Sequence, residues 1–335
     1  MTSTLKALAA TMACLCGCAG TAEERPPVKY ASLFAIAPAL AQAQAIAKDA
    51  GERLWPGYGS APFGFLLIDD GVEWLICQPG SPAGFRYNGM DSATGCPLLT
   101  RPRSTLPENL LAAMPVLGTP ATIVMGSPAA TGRSEADWKR TILHEHFHQW
   151  QTSLPNYYAR VEALNLADGD RTGMWMLDYP FPYTDPDAGQ AYRNASLALA
   201  DALDRRGRLD FPQSFDRYLA ARRAFAATVT PRDWDYLEFQ LWQEGTARWT
   251  EIELGKRHPD EQVRAGALIL QNKTLAELGT PDLAQHRRLA VYSLGAGEAM
   301  LMEACGSHWR KAYRNILAHG ALLMEARKAC HLDHE

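Results

Sequence analysis

The sequence lacks several features that mark other classes of protein. It has no basic run and no basic stripe with interleaved aromatic residues, and its net charge is −4, so we expect no nucleic-acid partner. It has no internal repeat, no low-complexity segment and, after its first twenty residues, no stretch long and apolar enough to cross a membrane. With 47% hydrophobic and 21% charged residues, its composition is that of an ordinary globular protein.

The N-terminus predicts export. One lysine precedes an apolar stretch at residues 7–15, which is too short to span a bilayer and typical of a signal peptide. The stretch ends in Leu15-Cys16-Gly17-Cys18, which resembles the lipobox of bacterial lipoproteins. The resemblance implies a lipoprotein signal peptide at 1–17 and a lipid anchor on Cys18. Ala19, where an aspartate would favour the inner membrane, favours the outer membrane facing the periplasm. The alternative is an ordinary secretory signal with cleavage nearby.

Export changes the interpretation of the cysteines. Outside the signal region the chain has four, which allow three pairings in an oxidising compartment: Cys77, Cys96, Cys305 and Cys330. We favour the local pairs Cys77–Cys96 and Cys305–Cys330, because each closes a short loop within one region. None of the four has zinc-ribbon spacing, so we do not expect them to bind metal.

The order of predicted elements indicates an α+β fold, with a small, mostly antiparallel sheet followed by a predominantly helical body. Residues 18–31 are interpreted as a tether. Residues 32–335 are interpreted as one domain, with an α/β part at 32–130 and a helical part at 131–335 that carries an inserted segment at about 155–230.

Apolar periodicity and turn signals give the individual elements. Three strands are predicted, with a hairpin turn at Asp69-Asp70-Gly71 between the first two: Phe63–Ile68, Glu73–Cys77 and Thr122–Met125. The predicted helices are Ser32–Arg53, Glu135–Leu154, Ala188–Arg205, Gln213–Ala226, Trp234–Leu254, Pro259–Leu278 and Leu289–Cys305, followed by a C-terminal pair.

The strongest chemical signal is the segment HEHFH at residues 144–148. Ser134 and Asp137 predict a capping box that starts a helix through this segment. Residues four apart share one helical face, so His144 and His148 can bind one zinc ion. Two imidazoles and one carboxylate leave a coordination position for water, and Glu145 is placed to take the proton from that water.

The competing interpretation of this segment is a surface helix with incidental histidines. The helix cap and the aliphatic residues that precede the motif argue against it. His146 points to another face of the helix, and we expect a structural role for it.

A second motif supplies a third ligand. Residues Gln243-Glu244-Gly245-Thr246-Ala247 resemble the Asn-Glu-Gly-x-Ala motif on the second zinc helix of gluzincins such as aminopeptidase N, with matches at Glu, Gly and Ala. The resemblance implies that Glu244 is the third zinc ligand. A buried glutamate without a partner is energetically costly, which also favours a metal there. The alternative is an exposed helical glutamate followed by a chance glycine.

A third stretch is similar to the same branch of the family. Tyr292-Ser293-Leu294-Gly295, followed by Met300-Leu301, resembles the segment in which a tyrosine hydroxyl donates to the developing oxyanion. The resemblance implies that role for Tyr292. The alternative is an ordinary core tyrosine.

The chain also departs from the aminopeptidase pattern. Glu244 lies 96 positions after His148, far beyond the usual spacing, so the intervening helices must form an inserted hairpin or lid. The Gly-x-Met-Glu-Asn motif that anchors a substrate amino terminus has only the poor counterpart Gly89-Met90-Asp91-Ser92, so exopeptidase specificity does not transfer. The longer pattern, HExFHxxQ at residues 144–151 with a late Glu-Gly-x-Ala helix, resembles that of exported gluzincin-like proteins. The resemblance covers roughly residues 134–302.

These signals predict a zinc-dependent hydrolase, specifically a gluzincin-type metallopeptidase with one Zn²⁺ ion and a peptide or protein substrate. The first alternative is a catalytically inactive or non-peptidase envelope lipoprotein of zincin fold that acts as a binding module. The second is a purely structural zinc ion. Such sites usually recruit a fourth protein ligand, often cysteine, and the remaining cysteines lie far from the motif in sequence.

Overall fold

A computed structural model describes residues 31–118, 120–306 and 308–332. The predicted signal peptide, the lipidation site Cys18 and all but the last residue of the predicted tether lie outside these residues. None of the helices in the described ranges combines the length and the hydrophobicity needed to cross a bilayer.

The first part of the described chain forms a six-stranded mixed sheet. Its strands are β1 Phe65–Asp69, β2 Val72–Ile76, β3 Arg86–Met90, β4 Pro97–Pro102, β5 Leu111–Met114 and β6 Thr122–Gly126. Their spatial order is β3-β4-β2-β1-β6-β5, with β1 and β6 parallel and the other neighbours antiparallel. The predicted α+β class, with a small, mostly antiparallel sheet before a helical body, is confirmed.

The predicted strands correspond to β1, β2 and β6, and the predicted hairpin joins the first two. Asp69 pairs with Val72 across the turn, and Gly71 there has a φ of 74°, a conformation that glycine adopts without strain. The other three strands were not predicted. β4 begins and ends with proline, β3 is mostly exposed, and β5 has only four residues.

Successive side chains of the sheet point to opposite faces. In β1, Phe65 and Leu67 pack into the main core with the helices, whereas Leu66 and Ile68 belong to a small second core on the other face. The sheet is therefore covered on both sides.

The helical body closely follows the predicted pattern. Before the sheet lie α1 Ala31–Ile46, the π-helical turn Ala47–Gly51 and α2 Glu52–Leu54, and α3 Pro128–Thr131 follows its last strand. The body comprises α4 Glu135–Ser153, α5 Tyr157–Glu162, α6 Trp175–Asp178, α7 Pro186–Asp204, α8 Phe211–Ala226, α9 Pro231–Gln240, the π-helical turn Leu241–Gly245, α10 Thr246–Gly255, α11 Glu261–Gly279, α12 Leu283–His286, the 3₁₀ turn Arg287–Leu289, α13 Ala290–Ala304, α14 Trp309–Tyr313 and α15 His319–Leu332.

Helix α4 occupies the centre of the molecule. Every residue from Arg140 to Gln151 is buried, because β5 and β6 pack on this helix from one direction and α10 and α11 from another. A helix that is buried all round lies in a core. Its polar side chains therefore need partners within the protein.

The structure joins Cys77 to Cys96 and Cys305 to Cys330, with Cα–Cα distances of 4.8 and 4.7 Å. These are the two local pairs that the sequence favours. The first links the end of β2 to the segment before β4, and the second links the end of α13 to α15.

Candidate metal centre

The first two predicted ligands lie one turn apart on α4. Ser134 caps this helix by accepting a hydrogen bond from the backbone N–H of Asp137 at 3.1 Å. The Nε2 atoms of His144 and His148 lie 3.1 Å apart. Their side chains are only 9% and 10% exposed, so the two rings meet at the edge of the core.

The third predicted ligand reaches the same point from a π-helical turn. The helix predicted at 234–254 is divided into α9, the turn Leu241–Gly245 and α10. Glu244 lies in that turn, and its Oε2 is 3.6 Å from His144 Nε2 and 3.4 Å from His148 Nε2. Because a π turn inserts one extra residue, it changes the direction of the side chains around it, and such turns are frequent at functional sites.

The three donor atoms fit one zinc ion. Two ligands at about 2.05 Å from zinc, separated by a tetrahedral angle, lie about 3.3 Å from each other. The triangle formed by His144 Nε2, His148 Nε2 and Glu244 Oε2 has sides of 3.1, 3.4 and 3.6 Å. Two imidazole nitrogens and one carboxylate oxygen are a donor set that zinc accepts with a fourth position open.

The partners of the two Nδ1 atoms favour the tautomer in which Nδ1 carries the proton. Both Nε2 atoms then have a lone pair that points into the cluster. His148 Nδ1 lies 2.7 Å from Gln151 Oε1, which accepts its proton because the Gln151 amide nitrogen donates to the Tyr313 hydroxyl. His144 Nδ1 lies 3.2 Å from Glu251 Oε2, at an angle too oblique for a full hydrogen bond, and a carboxylate can only accept. Two lone pairs that face each other at 3.1 Å repel, so this arrangement favours a proton or a cation between them.

The electrostatics of the cluster favour positive charge. Burial lowers the pKa of His144, but Glu244 and Glu251 raise it more, to about 9. Burial raises the pKa of Glu244, yet His148 and His144 hold it well below its usual range. Without a metal the cluster therefore retains a proton among these groups. A metal ion would compete with that proton.

Glu145 lies beside the predicted ligands and faces the edge of the sheet. Burial raises the pKa of its carboxyl group, while His144 and His148 oppose that shift. The backbone N–H of Ala113, in strand β5, also interacts with the carboxyl group and lowers its pKa. The predicted general base is thus close to both the metal-ligand cluster and an edge strand.

Tyr292 also reaches the cluster. Its ring stacks on the ring of His144 at a centroid distance of 6.1 Å. Its hydroxyl interacts with Glu244 and lies 3.4 Å from Arg288 Nη2. Burial and then Glu244 raise the pKa of this hydroxyl, so Tyr292 stays protonated and able to donate at neutral pH.

Several residues that hold the predicted ligands were not assigned a role from the sequence. Arg140 Nε donates to Glu251 Oε1 at 2.8 Å and so fixes the carboxylate that faces His144. Glu251 follows Glu244 by seven residues and Gln151 follows His148 by three. Helical spacing alone could have placed both on the same faces as the ligands.

His146 takes no part in the cluster. Its Nδ1 lies 3.0 Å from Gln149 Oε1, and its ring packs edge-on against Tyr58 at 4.6 Å. Burial lowers its pKa to about 4, so it is neutral in the folded protein. These contacts agree with the structural role expected for it.

The segment Gly89-Met90-Asp91-Ser92, the poor counterpart of the substrate-anchoring motif, lies at the edge of the sheet opposite to Glu145. Gly89 and Met90 belong to β3, and Asp91 follows it directly. β3 is one edge strand and β5 is the other, and only β5 lies beside Glu145. This segment therefore supplies no anchor at the candidate metal centre.

The chain between His148 and Glu244 forms α5 to α9. Within it, α7 and α8 pack against each other as a helical hairpin, with α7 also against α11 and α13 and α8 against α15. The long separation between the ligands is therefore occupied by helices that pack on the body of the protein.

This geometry is the basis for assigning a function. Comparisons with protein-family models, with curated proteins and with solved structures found no match for this chain.

Proposed function

We propose that this protein is a zinc-dependent hydrolase of the gluzincin type that cleaves peptide bonds. The observation that carries the proposal is the convergence of His144 Nε2, His148 Nε2 and Glu244 Oε2 to within 3.6 Å of one another, with Glu145 adjacent. A zinc ion held there supplies Lewis-acid chemistry, which polarises a carbonyl oxygen and lowers the pKa of water.

Glu145 acts as the general base. Its carboxylate takes a proton from the attacking water and passes that proton to the leaving nitrogen. The raised pKa of this buried carboxyl group suits the role, because a base with a pKa nearer to the working pH both accepts and returns a proton readily.

Tyr292 acts as a hydrogen-bond donor. Its hydroxyl is held at the cluster by Glu244 and Arg288 and stays protonated. Such a preorganised donor stabilises the negative charge that develops on the carbonyl oxygen during attack.

The edge strand β5 supports a peptide as the substrate. In the described sheet, β5 pairs with β6 on one side only, and its four residues are partly exposed. An extended peptide can add to such an edge through main-chain hydrogen bonds. Because Ala113 of this strand interacts with Glu145, a peptide bound there would pass the general base.

We place this activity in the cell envelope. The lipobox-like Leu15–Cys18 supports a lipid anchor on Cys18 at the outer membrane, facing the periplasm. The two disulfides support an oxidising compartment, since disulfides persist there and are rare in the cytosol.

The test replaces Glu145 by Gln in the purified protein. We expect the variant to bind one zinc ion per chain, as the wild type does, and to lose cleavage of a peptide library. Glu135→Gln, at the exposed start of the same helix, should keep both properties. Cleavage by Glu145→Gln at the wild-type rate, or a wild type that binds no zinc, would exclude the proposal.

The lack of a clear Gly-x-Met-Glu-Asn motif in the sequence favours one alternative. A zincin-fold lipoprotein that serves as a binding module would retain zinc but cleave no peptide. The same experiment separates the two functions, since only the hydrolase loses an activity when Glu145 is replaced.

A further inference from the structure

Two arginines lie beside the metal-ligand cluster. Arg248 follows Glu244 by four residues, and Arg288 precedes Tyr292 by four. Their guanidinium carbons lie 5.0 and 5.7 Å from the centroid of the Tyr292 ring. Both side chains are partly open to solvent, with exposed fractions of 26% and 20%.

Each of these two arginines shares its carboxylate partner with other groups of the site. Arg288 Nη1 lies 3.4 Å from Glu244 Oε1, whose other oxygen faces the two histidines. Arg248 Nε lies 3.2 Å from Glu251 Oε2 without a well-directed hydrogen bond, and Glu251 is already held by Arg140. Within the described ranges, no hydrogen bond reaches the terminal nitrogens of Arg248.

The charged side chains in and around the metal-ligand cluster leave an excess of positive charge once a divalent cation is present. Its arginines are Arg140, Arg248 and Arg288, and its carboxylates are Asp137, Glu145, Glu244 and Glu251. Three arginines and a divalent cation exceed four carboxylates by one charge. Arg140 is paired with both Asp137 and Glu251. Arg248 and Arg288, which flank Tyr292, each have one carboxylate, and that carboxylate also faces a histidine of the site. The other partners of Arg288 are the neutral oxygens of Gln240 and Tyr292.

We propose that Arg248 and Arg288 form an anion subsite beside the metal centre and that the substrates of this protein carry a carboxylate. The subsite rests on the proposed zinc centre, which defines where the rest of the substrate lies. Guanidinium groups bind carboxylates through paired N–H donors. The carboxylate comes either from the carboxyl terminus of a peptide or from an acidic side chain.

The test uses two probes that differ only in this charge. The monohydroxamate of succinic acid carries a zinc-binding hydroxamate and a carboxylate, and its primary amide analogue has a neutral group instead. The dissociation constant of each is measured calorimetrically on the zinc-loaded protein. We expect the carboxylate probe to bind at least about tenfold more tightly, as for a charged hydrogen bond.

Arginine variants test whether Arg248 and Arg288 cause the preference for the carboxylate probe. Arg288→Met should reduce the preference below about threefold, and Arg217→Met, an exposed arginine of α8 paired with Asp201, should leave it unchanged. Zinc content is measured first. Should Arg288→Met fail to retain zinc, Arg248→Met carries the test, since Arg248 makes no ion pair with a predicted ligand.

Competition distinguishes the two sources of the carboxylate. Peptides with a free or an amidated carboxyl terminus, and with Glu or Gln side chains, are compared as competitors of the carboxylate probe. Equal affinity of the two hydroxamates for zinc-loaded wild type would overturn the subsite and leave the zinc centre intact. A wild-type protein that holds no zinc would overturn the proposed function and the subsite with it.

Discussion

Gly245 and Gly295 meet where the turn that carries Glu244 crosses α13. A Cβ atom added to Gly295 would lie 2.7 Å from Gly245 Cα and 2.9 Å from the Leu241 carbonyl oxygen, and a Cβ added to Gly245 would meet Gly295 Cα even more closely. The two backbones are therefore in direct contact. This contact places the residue before Gly245, the proposed ligand Glu244, beside the helix that carries Tyr292.

The first prediction concerns this crossing. Gly295→Ala should separate the two backbones and destabilise the protein by about 2 kcal/mol, because overpacking between fixed backbones outweighs the better helix propensity of alanine. Zinc affinity should fall in parallel, since Glu244 is displaced. Both effects are measured by urea unfolding of the metal-free protein and by competition with a zinc chelator.

The matched control is Gly189→Ala on α7. No heavy atom lies within 4 Å of a Cβ placed there, so alanine should stabilise the helix by up to about 1 kcal/mol. If Gly295→Ala were as stable as the wild type, the crossing would not depend on glycine.

The glycine crossing shows which features of the site the sequence could reveal. The spacing of His144 and His148 is fixed by the helix itself, so local pattern was enough to identify them. Glu244 needed a resemblance, since nothing local brings a residue 96 positions away to the same point. The partners Arg140 and Glu251 meet only because α4 packs on α10, which no local pattern specifies.

The fold shows the same division. Helices α4, α7, α9 and α11 begin at capping side chains, and the predicted positions of the long helices agree with the structure to within a few residues. The three strands that were not predicted depend on their neighbours: β3 is mostly exposed, β4 carries terminal prolines, and β5 is too short to show alternation. The π turn at Leu241–Gly245 is also invisible in a sequence that reads as one continuous helix.

The second prediction concerns Glu251. Arg248, His144 and Arg140 overcome the effect of burial and lower the pKa of this carboxyl group to about 2, so it is charged where it faces His144. Glu251→Gln should weaken zinc binding about 10- to 100-fold, since a carboxylate that orients a ligand histidine also strengthens it as a donor. Chelator competition at fixed pH gives the affinity.

Glu253→Gln is the control on the same helix. Glu253 pairs with Lys256 and Arg257, away from the proposed metal ligands. The Glu253→Gln variant should therefore bind zinc as tightly as the wild type does. An unchanged affinity in Glu251→Gln would show that Glu251 does not support His144.

The third prediction concerns a buried charge network beneath the C-terminal helix. Glu298 is fully buried and accepts hydrogen bonds from Arg222 Nε at 2.7 Å and from His319 Nδ1 at 2.6 Å. Glu298→Gln should destabilise the protein by about 3 kcal/mol, because the buried Arg222 then keeps only its second carboxylate partner, Glu238, and His319 loses its charged acceptor. Glu325→Gln breaks an exposed pair with Lys328 and should cost less than about 0.5 kcal/mol.

The pH dependence of this network has a defined direction. Burial raises the pKa of Glu298, but Arg222 and His319 lower it to about 2, below the ordinary value of 4.5. The stabilisation from Glu298 is therefore complete above pH 4.5 and is lost as the pH falls toward 2. Urea unfolding at pH 7 should show the full difference between the wild type and Glu298→Gln, and a difference under about 1 kcal/mol would contradict the prediction.

The fourth prediction concerns His258, a buried histidine between α10 and α11. Its Nδ1 accepts the backbone N–H of Asp260 at 3.0 Å, which requires the neutral ring. Burial is the largest influence on its pKa, which is lowered to about 4; Asp260 acts to raise it, and Lys139 and Arg264 act to lower it. Between pH 6.5 and pH 4 the unfolded chain therefore takes up a proton that the folded chain does not, so stability falls as the pH falls through this range and is unaffected above it.

His258→Asn isolates this effect, since the asparagine amide oxygen can accept the same N–H without titrating. Between pH 7 and pH 4.5 the wild type should lose on the order of 2 kcal/mol more of its free energy of unfolding than the variant does. Urea unfolding of both proteins with a metal chelator present removes any contribution from zinc, and all other titrating groups are common to the two. Parallel pH profiles would mean that His258 is protonated as easily in the folded protein as in the unfolded chain, which its hydrogen bond to Asp260 opposes.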